Sequence, residues 1–252
     1  MKQNRQKMVN PSLSTKCQEI ILGSLLGDGS LKKSAHYQNA RFSFRHSTIQ
    51  KEYFFWKVKE LKEISGQKCY WLQKPDGWGN NNMLRYQSLA LPSLTAMCGL
   101  VSKGQRYRVR RRWLNQLTPL SLAVWWMDDG SIIGNGRKGV FCSESFSYKE
   151  HLILSQYFRK VWHIETTIAE KQKGLGKYRL WIHSTDNLQK FLRMILPYVP
   201  VESMLSKTLI LYKSILFQQR WISEVKQLSI FSESAIDKCL LEKKKKWKNF
   251  RE

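Results

Sequence analysis

The chain of 252 residues is long enough for one large domain or two small ones, with a sizeable hydrophobic core. It carries 43 Lys and Arg residues against 19 Asp and Glu residues, a formal net charge of +24, and 42% of its residues are hydrophobic. That hydrophobic content excludes an intrinsically disordered polycation. The basic excess favours a polyanionic partner, because Lys and Arg displace counterions from phosphates. No apolar run approaches the ~20 residues that span a bilayer, so we expect no membrane segment.

The cysteines and the N-terminal residues indicate no secreted or zinc-binding protein. The five cysteines are odd in number, widely spaced and without a C-x-x-C pair, which predicts neither a disulfide framework nor a zinc site. The first eight residues are polar and lack the apolar segment of a secretory signal. A reducing compartment is therefore expected.

The two halves of the chain repeat each other. Residues 18–31 read QEIILGSLLGDGSL and residues 120–133 read LSLAVWWMDDGSII, so each apolar run of about two helical turns leads into Asp-Gly-Ser. A Lys-Glu pair follows in both halves, at 51–52 and 149–150. The motif acids are 101 residues apart and the Lys-Glu pairs 98 apart. Such a near-constant offset indicates an internal duplication.

The predicted elements follow the duplication in chain order. In the first half, residues 15–100, we predict helices at 16–28, 49–64 and 92–100, and strands at 40–46, 67–74 and 83–90. In the second half, residues 120–215, the helices are at 120–129, 148–161 and 185–196, and the strands at 138–144, 165–172 and 177–183. Residues 101–119 are predicted as a basic linker. A helical tail is predicted from about residue 204, and its basic C-terminal part, residues 216–252, is expected to end in a frayed lysine run.

Both motif helices are expected to end in an acid followed by glycine. Gly29 and Gly130 suit a left-handed helix cap, which places Asp28 and Asp129 at helix C-termini. A carboxylate is unfavourable there, because the helix dipole is already negative, unless a hard cation binds the oxygens. The alternative is that each Asp-Gly is only a helix-terminating turn. Two copies in register on a strongly basic background favour a shared site.

Small residues on the motif helices indicate how that site would assemble. Gly23 and Gly27 lie four residues apart on one helical face, and Ala123 offers a similar position in the second helix. Close packing of the two helices would bring Asp28 and Asp129 together at one end. Paired carboxylates with divalent metals can activate water and stabilise a leaving oxygen at a phosphodiester.

The two motifs resemble those of LAGLIDADG homing endonucleases, in the single-chain form with one copy in each half. The copies read ILGSLLGDG at 21–29 and LAVWWMDDG at 122–130, the second preceded by LTPLS. The segments SESF at 143–146, PYVP at 197–200 and MLSK at 204–207 are also similar to the family. The resemblance covers roughly residues 15–215.

The resemblance implies an α+β fold of two pseudo-symmetric αββαββα halves. Each half would carry a curved four-stranded antiparallel sheet over the DNA major groove, and the halves would pack through the two motif helices. It further implies that Asp28 and Asp129 are catalytic acids that bind Mg²⁺, with backbone carbonyls from Gly27 and Asp128. The chain is expected to act as a monomer.

The resemblance also assigns the basic residues beside the acids. Lys207 falls at the usual lysine of the second half. Arg106 or Arg108 takes the equivalent place in the first half, where an arginine can stabilise phosphate charge but cannot titrate as a lysine does. Glu144 occupies a position where a neutral amide is common.

Strand alternation predicts the surface that would meet nucleic acid. Along residues 41–46, Phe42 and Phe44 share one face, and the polar side chains share the other. Arg and Gln side chains suit guanine and adenine edges in the major groove, although a solvated sheet residue is the alternative at each position. For His46, the sequence allows two interpretations, a contact with DNA or a histidine packed at the sheet edge. The predicted DNA-binding residues are Arg41, Ser43, Arg45, Lys68, Arg85, Gln87, Lys171, Lys177 and Arg179.

The leading functional hypothesis is a Mg²⁺-dependent, site-specific endonuclease. It would make double-strand breaks in double-stranded DNA at a long target in an intronless allele, and so promote intron mobility. The alternative is an RNA-splicing maturase that binds its host intron RNA on the same scaffold. The resemblance favours a gene in an organelle, a chloroplast or mitochondrion, over a protein of the bacterial cytoplasm.

Overall fold

The computed structural model describes residues 12–34, 37–74, 82–104, 106–134 and 136–247. Residues 248–252 of the predicted tail and the polar N-terminal residues lie outside this range. No helix in the described part of the chain has both the length and the apolar character needed to cross a membrane.

The first half folds as α1 to α3 around one antiparallel sheet. The helices are α1 (Thr15–Ser24), α2 (Lys51–Glu60) and α3 (Pro92–Val101), and the strands are β1 (Ser30–Lys32), β2 (Arg41–Ser47), β3 (Tyr70–Gln73) and β4 (Met83–Gln87). The strand order is β1-β2-β4-β3, and every neighbouring pair is antiparallel. The chain therefore follows the αββαββα order.

A short linker leads into a second half of the same architecture. The linker contains a two-stranded ribbon, β5 (Ser102–Lys103) and β6 (Arg106–Tyr107), and a single helical turn, α4 (Arg111–Leu114). The second half comprises α5 (Pro119–Asp129), β7 (Gly130–Ile133), β8 (Lys138–Phe141), α6 (Tyr148–Tyr157), β9 (Thr167–Glu170), β10 (Tyr178–Ile182) and α7 (Thr185–Ile195). Its sheet order, β7-β8-β10-β9, repeats that of the first half. The predicted α+β duplication is confirmed.

The segment after each motif acid differs from the residue-level prediction. Strands β1 and β7, of three and four residues, follow the acids directly and were absent from the predicted elements, although the family resemblance implied four strands. Helix α1 also ends four residues before the predicted 28. The Leu26 N–H bonds to the Gly23 carbonyl, and the Gly27 N–H to that of Ser24. These i→i+3 bonds tighten the last turn.

The predicted left-handed caps at the two motif glycines are wrong. Gly130 is extended, with φ −78° and ψ 148°, and Gly29 has no positive φ either. Glycine is needed for space instead, because a strand starts at once beside the helix end. A Cβ on Gly130 would lie 2.2 Å from the Trp126 ring, and a Cβ on Gly29 would lie 2.7 Å from the Ser24 carbonyl oxygen.

Helices α1 and α5 form the contact between the halves, as predicted. A Cβ on Gly23 would lie 2.2 Å from the Ser121 carbonyl oxygen, so the two backbones approach as closely as glycine allows. At the other end of the contact, a Cβ on Gly27 would meet the Asp128 side chain at 2.6 Å. Thr118 caps α5 by accepting a hydrogen bond from the Ser121 N–H, which fixes the start of that helix.

We expect Gly23→Ala to destabilise the protein, because the new methyl group must push the two helices apart. Overpacking of this kind costs about 1–3 kcal/mol in the free energy of unfolding, measured in urea. Gly99→Ala is the matched control. Gly99 lies in α3 with no atom within 4 Å of an added Cβ, so the same change should stabilise the helix by about 0.5–1 kcal/mol. Equal effects at the two positions would contradict the close approach.

The predicted tail is largely helical. After α8 (Glu202–Leu205), the chain forms α9 (Ile215–Leu228) and α10 (Glu233–Lys246), and α10 packs against both. The expectation that the lysine run is frayed is wrong for the described residues, since Lys243 is 9% exposed. Its ammonium bonds to backbone carbonyls, which a sequence pattern does not indicate.

Candidate functional site

Three aspartates gather at one end of the α1–α5 contact. Asp28 lies in the turn that follows α1, and Asp128 and Asp129 are the last residues of α5. The Asp28 side chain is 39% exposed, whereas the Asp128 side chain is fully buried. The Asp28 N–H donates a hydrogen bond of 3.4 Å to Asp128 Oδ2 across the interface. The two halves of the chain therefore supply acids to a single place.

The acids interact electrostatically. Burial and, to a smaller extent, the charges of Asp28 and Asp128 together raise the pKa of Asp129 to about 8, although Lys207 opposes them. Burial also acts to raise the pKa of Asp28, but the hydrogen bond and charge of His46 lower it below its ordinary value. Like charges this close disfavour joint ionisation unless a cation is present. Oxygen ligands of this kind suit a hard divalent ion.

The Asp128 carboxylate is held inside the protein by the first half. Tyr53 donates its hydroxyl to Asp128 Oδ1 at 2.9 Å, and Lys57 Nζ lies 3.1 Å from both carboxylate oxygens. Lys57 is itself fully buried and lies over the Phe44 ring at 4.5 Å. This buried pair engages both oxygens of the Asp128 carboxylate.

His46 lies between two of the acids. Its Nδ1 is 3.4 Å from Asp28 Oδ2, and its Nε2 is 3.8 Å from Asp128 Oδ1. One ligand atom from each of these three residues falls within 4.8 Å of the others, which is close enough to surround a metal ion. His46 is 1% exposed, so the structure favours the packed histidine over the direct DNA contact.

Lys207 contacts the carbonyl end of α5. Its Nζ donates to the Met127 carbonyl oxygen at 2.5 Å and to that of Asp128 at 3.3 Å. Its own carbonyl accepts a hydrogen bond from Trp126 Nε1 at 2.9 Å. Burial lowers the pKa of Lys207, against the opposing effect of the three aspartates. The structure thus places the Lys207 ammonium at the end of α5 that carries Asp128 and Asp129, and its catalytic role stays a prediction.

Arg106 is not brought to the acids by any contact in the described part of the chain. It is exposed in strand β6, where its backbone pairs with Lys103. The charges that lower the pKa of Asp28 belong to His46, Lys57 and Lys207. A catalytic role for Arg106 therefore stays a prediction.

Sequence reasoning missed Tyr53 and Lys57. Their spacing was visible in the sequence, because residues four apart share one face of a helix, here α2. The alternation of β2 likewise places His46 with Phe42 and Phe44 on the buried face. The sequence pattern could not show that Asp128 is the partner of Tyr53 and Lys57, since Asp128 lies on a helix of the other half.

We expect Lys57→Met to destabilise the protein by about 3–5 kcal/mol, because it leaves a buried carboxylate without its cation. The measurement is the free energy of unfolding in urea. The double variant Lys57→Met/Asp128→Leu should recover most of the loss, since apolar replacements of a buried pair are often neutral. A single variant as stable as the wild type would contradict the buried ion pair.

The outer face of the first sheet is basic and open. Strand register sets Ser43 beside Gln87, and Arg45 beside Arg85. Arg41 Nη1 donates to Gln87 Oε1 at 3.1 Å, while Arg45 and Arg85 are exposed. We call these five residues the first-sheet surface. With Asp28 they line a cleft of about 1290 Å³, so the basic surface and one of the three acids share a cleft.

Of the other predicted DNA-binding residues, Lys68 and Lys177 are exposed, whereas Lys171 and Arg179 pair with a carboxylate. Lys68 is exposed in the turn before β3, outside the strand that was predicted to hold it. On the second sheet, Lys171 and Lys177 flank strands β9 and β10 and are joined by a backbone hydrogen bond of 2.8 Å. Glu144 pairs with Arg179 at 2.6 Å and with Lys171 at 3.4 Å. The second sheet is therefore partly neutralised by its own carboxylate.

This fold and this cluster of acids define a class of duplicated α+β proteins with a polar site between two motif helices. Residues 18–191 match the model of the LAGLIDADG DNA endonuclease family, and the chain belongs to this family.

The chain is also similar to named proteins of bacteria, an alga and a yeast. The chain is 28% identical to a protein RecA of Mycobacterium gastri over 78% of this chain and 48% of that protein. It is 26% identical to the DNA endonuclease I-ChuI of Chlamydomonas applanata, over 68% of this chain and 85% of that protein. It is 23% identical to the cytochrome b mRNA maturase bI2 of Saccharomyces cerevisiae, over 71% of this chain and 44% of that protein. The chain thus spans about half the length of the RecA and maturase relatives.

A solved structure shares the fold. The homing endonuclease I-WcaI bound to its DNA recognition sequence superposes with a TM-score of 0.70 and 20% sequence identity. The match covers 83% of this chain and 96% of that chain. The match therefore extends over both halves of this chain.

Proposed function

We propose that this protein is a site-specific DNA endonuclease that makes double-strand breaks at a long target. The observation that carries the proposal is the meeting of acids from both halves at one end of the α1–α5 contact, beside an open basic sheet surface. Two relatives support it by name, the DNA endonuclease I-ChuI and the DNA-bound I-WcaI. The net charge of +24 suits a phosphate backbone.

In this proposal Asp28 and Asp129 bind Mg²⁺, assisted by the backbone carbonyls of Gly27 and Asp128. Burial, followed by the charges of Asp28 and Asp128, raises the pKa of Asp129, and a bound cation would offset both effects. When bound, the metal supplies an activated water and neutralises charge on the phosphate. Lys207 places its ammonium at the same helix end and stabilises the negative charge that develops there.

The proposed DNA contacts divide between the two sheets. Arg41, Arg45 and Arg85 of the first-sheet surface offer guanidinium groups to guanine edges or phosphates, and Gln87 offers an amide to adenine. Ser43 lies between Arg41 and Arg45 in strand β2. Lys68, Lys171, Lys177 and Arg179 are proposed as further contacts. Tyr53 and Lys57 act at a distance by fixing Asp128.

Metal removal tests the proposed cofactor. With purified protein and a plasmid that carries the target, EDTA should abolish cleavage, and added Mg²⁺ should restore it. Ca²⁺ should support binding without cutting, so band shifts persist while linear product is absent. Cleavage that continues in EDTA would contradict the assignment of the acids as metal ligands.

A maturase is the second candidate function. The similarity to maturase bI2 favours it, and RNA would release counterions from the same basic surfaces. A maturase would accelerate splicing of its intron RNA and leave the DNA intact. An endonuclease would cut the DNA whether or not splicing responds.

We propose further that the gene lies within an intron of an organelle genome and that cleavage promotes spread of the intron. The protein acts as a monomer, because one chain supplies both motif helices. Gel filtration with light scattering, alone and with DNA, tests this last point. A dimer as the cutting species would contradict it.

A further inference from the structure

One lysine of the C-terminal run differs from its neighbours. Helix α10 ends in Lys243, Lys244, Lys245 and Lys246, a favourable place for cations at the negative end of the helix dipole. Lys245 is exposed, yet Lys243 is 9% exposed and reaches back into the second half. Burying an ammonium is costly unless its hydrogen bonds are satisfied. Its partners therefore indicate what the burial achieves.

Both partners of Lys243 are backbone carbonyls of one turn. Its Nζ donates to the Ser206 oxygen at 2.6 Å and to the Leu209 oxygen at 2.7 Å. These two residues enclose Lys207 and Thr208. The turn has its own bonds, from the Lys207 N–H to the Met204 carbonyl at 3.0 Å and from the Thr208 N–H to the Leu205 carbonyl at 2.9 Å. The Lys243 ammonium thus links the first and last residues of the turn through their carbonyl oxygens.

The same turn carries Lys207 to the acids. Trp126 Nε1 holds the Lys207 carbonyl at 2.9 Å, and the Lys207 ammonium bonds to the carbonyls of Met127 and Asp128. Ser206, Lys207 and Lys243 also line one cavity of about 680 Å³ beside β7. Because Lys207 is anchored at its backbone on both sides, a shift of the turn would move its ammonium from the helix end.

We propose that Lys243 is a positioning residue, through which helix α10 holds Lys207 in place for DNA cleavage. This inference rests on the proposed endonuclease function. Lys243 itself is buried and contacts backbone only, so it acts through Lys207 and contributes to the cleavage step more than to DNA affinity. The C-terminal helix is then part of the catalytic apparatus.

A double-mutant cycle separates positioning from general stability. The variants are Lys243→Met, Lys207→Ala and the two combined, assayed for single-turnover cleavage and for DNA binding in Ca²⁺. Misplacement by about 1 Å can cost on the order of 100-fold in rate, so we expect Lys243→Met to slow cleavage by about 10- to 100-fold. The dissociation constant should change less than about two-fold, in the range of a neutral substitution.

The decisive comparison is made in the Lys207→Ala background. If Lys243 acts through Lys207, Lys243→Met causes no further loss there, because the interacting pair is strongly non-additive. Lys243→Arg should restore most of the rate, since it keeps a cation with several N–H donors for the two carbonyls. Lys245→Met is the matched control on the exposed side of α10 and should cut as the wild type does.

Additive losses in the cycle, or equal losses of rate and affinity, would overturn the inference. If Lys243→Met does not fold, Lys243→Gln takes its place, because its amide retains a donor for one carbonyl. If the wild-type protein cuts and Lys243→Met cuts equally well, the positioning role is overturned and the proposed function stands. A wild-type protein that never cuts overturns the proposed function, and the inference falls with it.

Discussion

We expect Asp28→Asn and Asp129→Asn each to abolish double-strand cleavage in Mg²⁺. Each change removes a carboxylate from a site to which the two halves contribute. The loss of several kcal/mol of charge stabilisation corresponds to a rate loss on the order of 1000-fold. Most of the DNA affinity should remain, because groove and phosphate contacts lie on the sheets. The measurement is conversion of supercoiled plasmid to linear product, with affinity from band shifts.

The control for these variants is Asp186→Asn, in the first turn of α7, where the acid is exposed. It removes the same charge from the protein without touching the site, so its cleavage should match that of the wild type. Full cleavage by either Asp28→Asn or Asp129→Asn would remove the shared-metal assignment. A loss of affinity as large as the loss of rate would instead reassign the acid to DNA binding or folding.

The second large effect is expected on the first-sheet surface. Arg45→Ala/Arg85→Ala should weaken DNA binding by about 2–6 kcal/mol, since each base-edge contact is worth about 1–3 kcal/mol. If the side chains contact phosphates instead, the slope of log K against log salt should fall by about 0.9 for each residue. Both quantities come from fluorescence anisotropy over a salt series.

Lys59→Ala/Lys62→Ala is the matched control, since it removes the same two charges from the exposed side of the α2 region. Only the long-range field changes there, so affinity should fall far less. Equal losses in the two double variants would show that net charge alone governs binding. A wild-type affinity for Arg45→Ala/Arg85→Ala would exclude this surface from the DNA interface.

The duplication explains why the architecture could be predicted from sequence. Two copies of the same order of elements constrain each other, and the alternation along β2 correctly separated Phe42 and Phe44 from Arg41 and Arg45. Strands β1 and β7 were missed because three or four residues are too short for a period of two to register. They are held in place by pairing with β2 and β8, which is a tertiary effect.

The candidate site was predictable only in part. The acids and Lys207 follow from motifs, whereas the buried contacts of Lys57 with Asp128 and of Lys243 with the Ser206 carbonyl join residues 71 and 37 positions apart. Sequence patterns treat a lysine as a solvated charge by default. Burial of these two ammonium groups depends on contacts between elements that are distant in the chain, and a local sequence period does not predict such contacts.

Locus-selective cutting tests the central claim most directly. Two plasmids are incubated with purified protein and Mg²⁺, one carrying the uninterrupted version of the host locus and one carrying the locus with its intron. A homing endonuclease should linearise the first at a single position and leave the second intact, because the insertion divides the target. An intact uninterrupted plasmid, under conditions where the folded protein binds it, would contradict the proposed cleavage function.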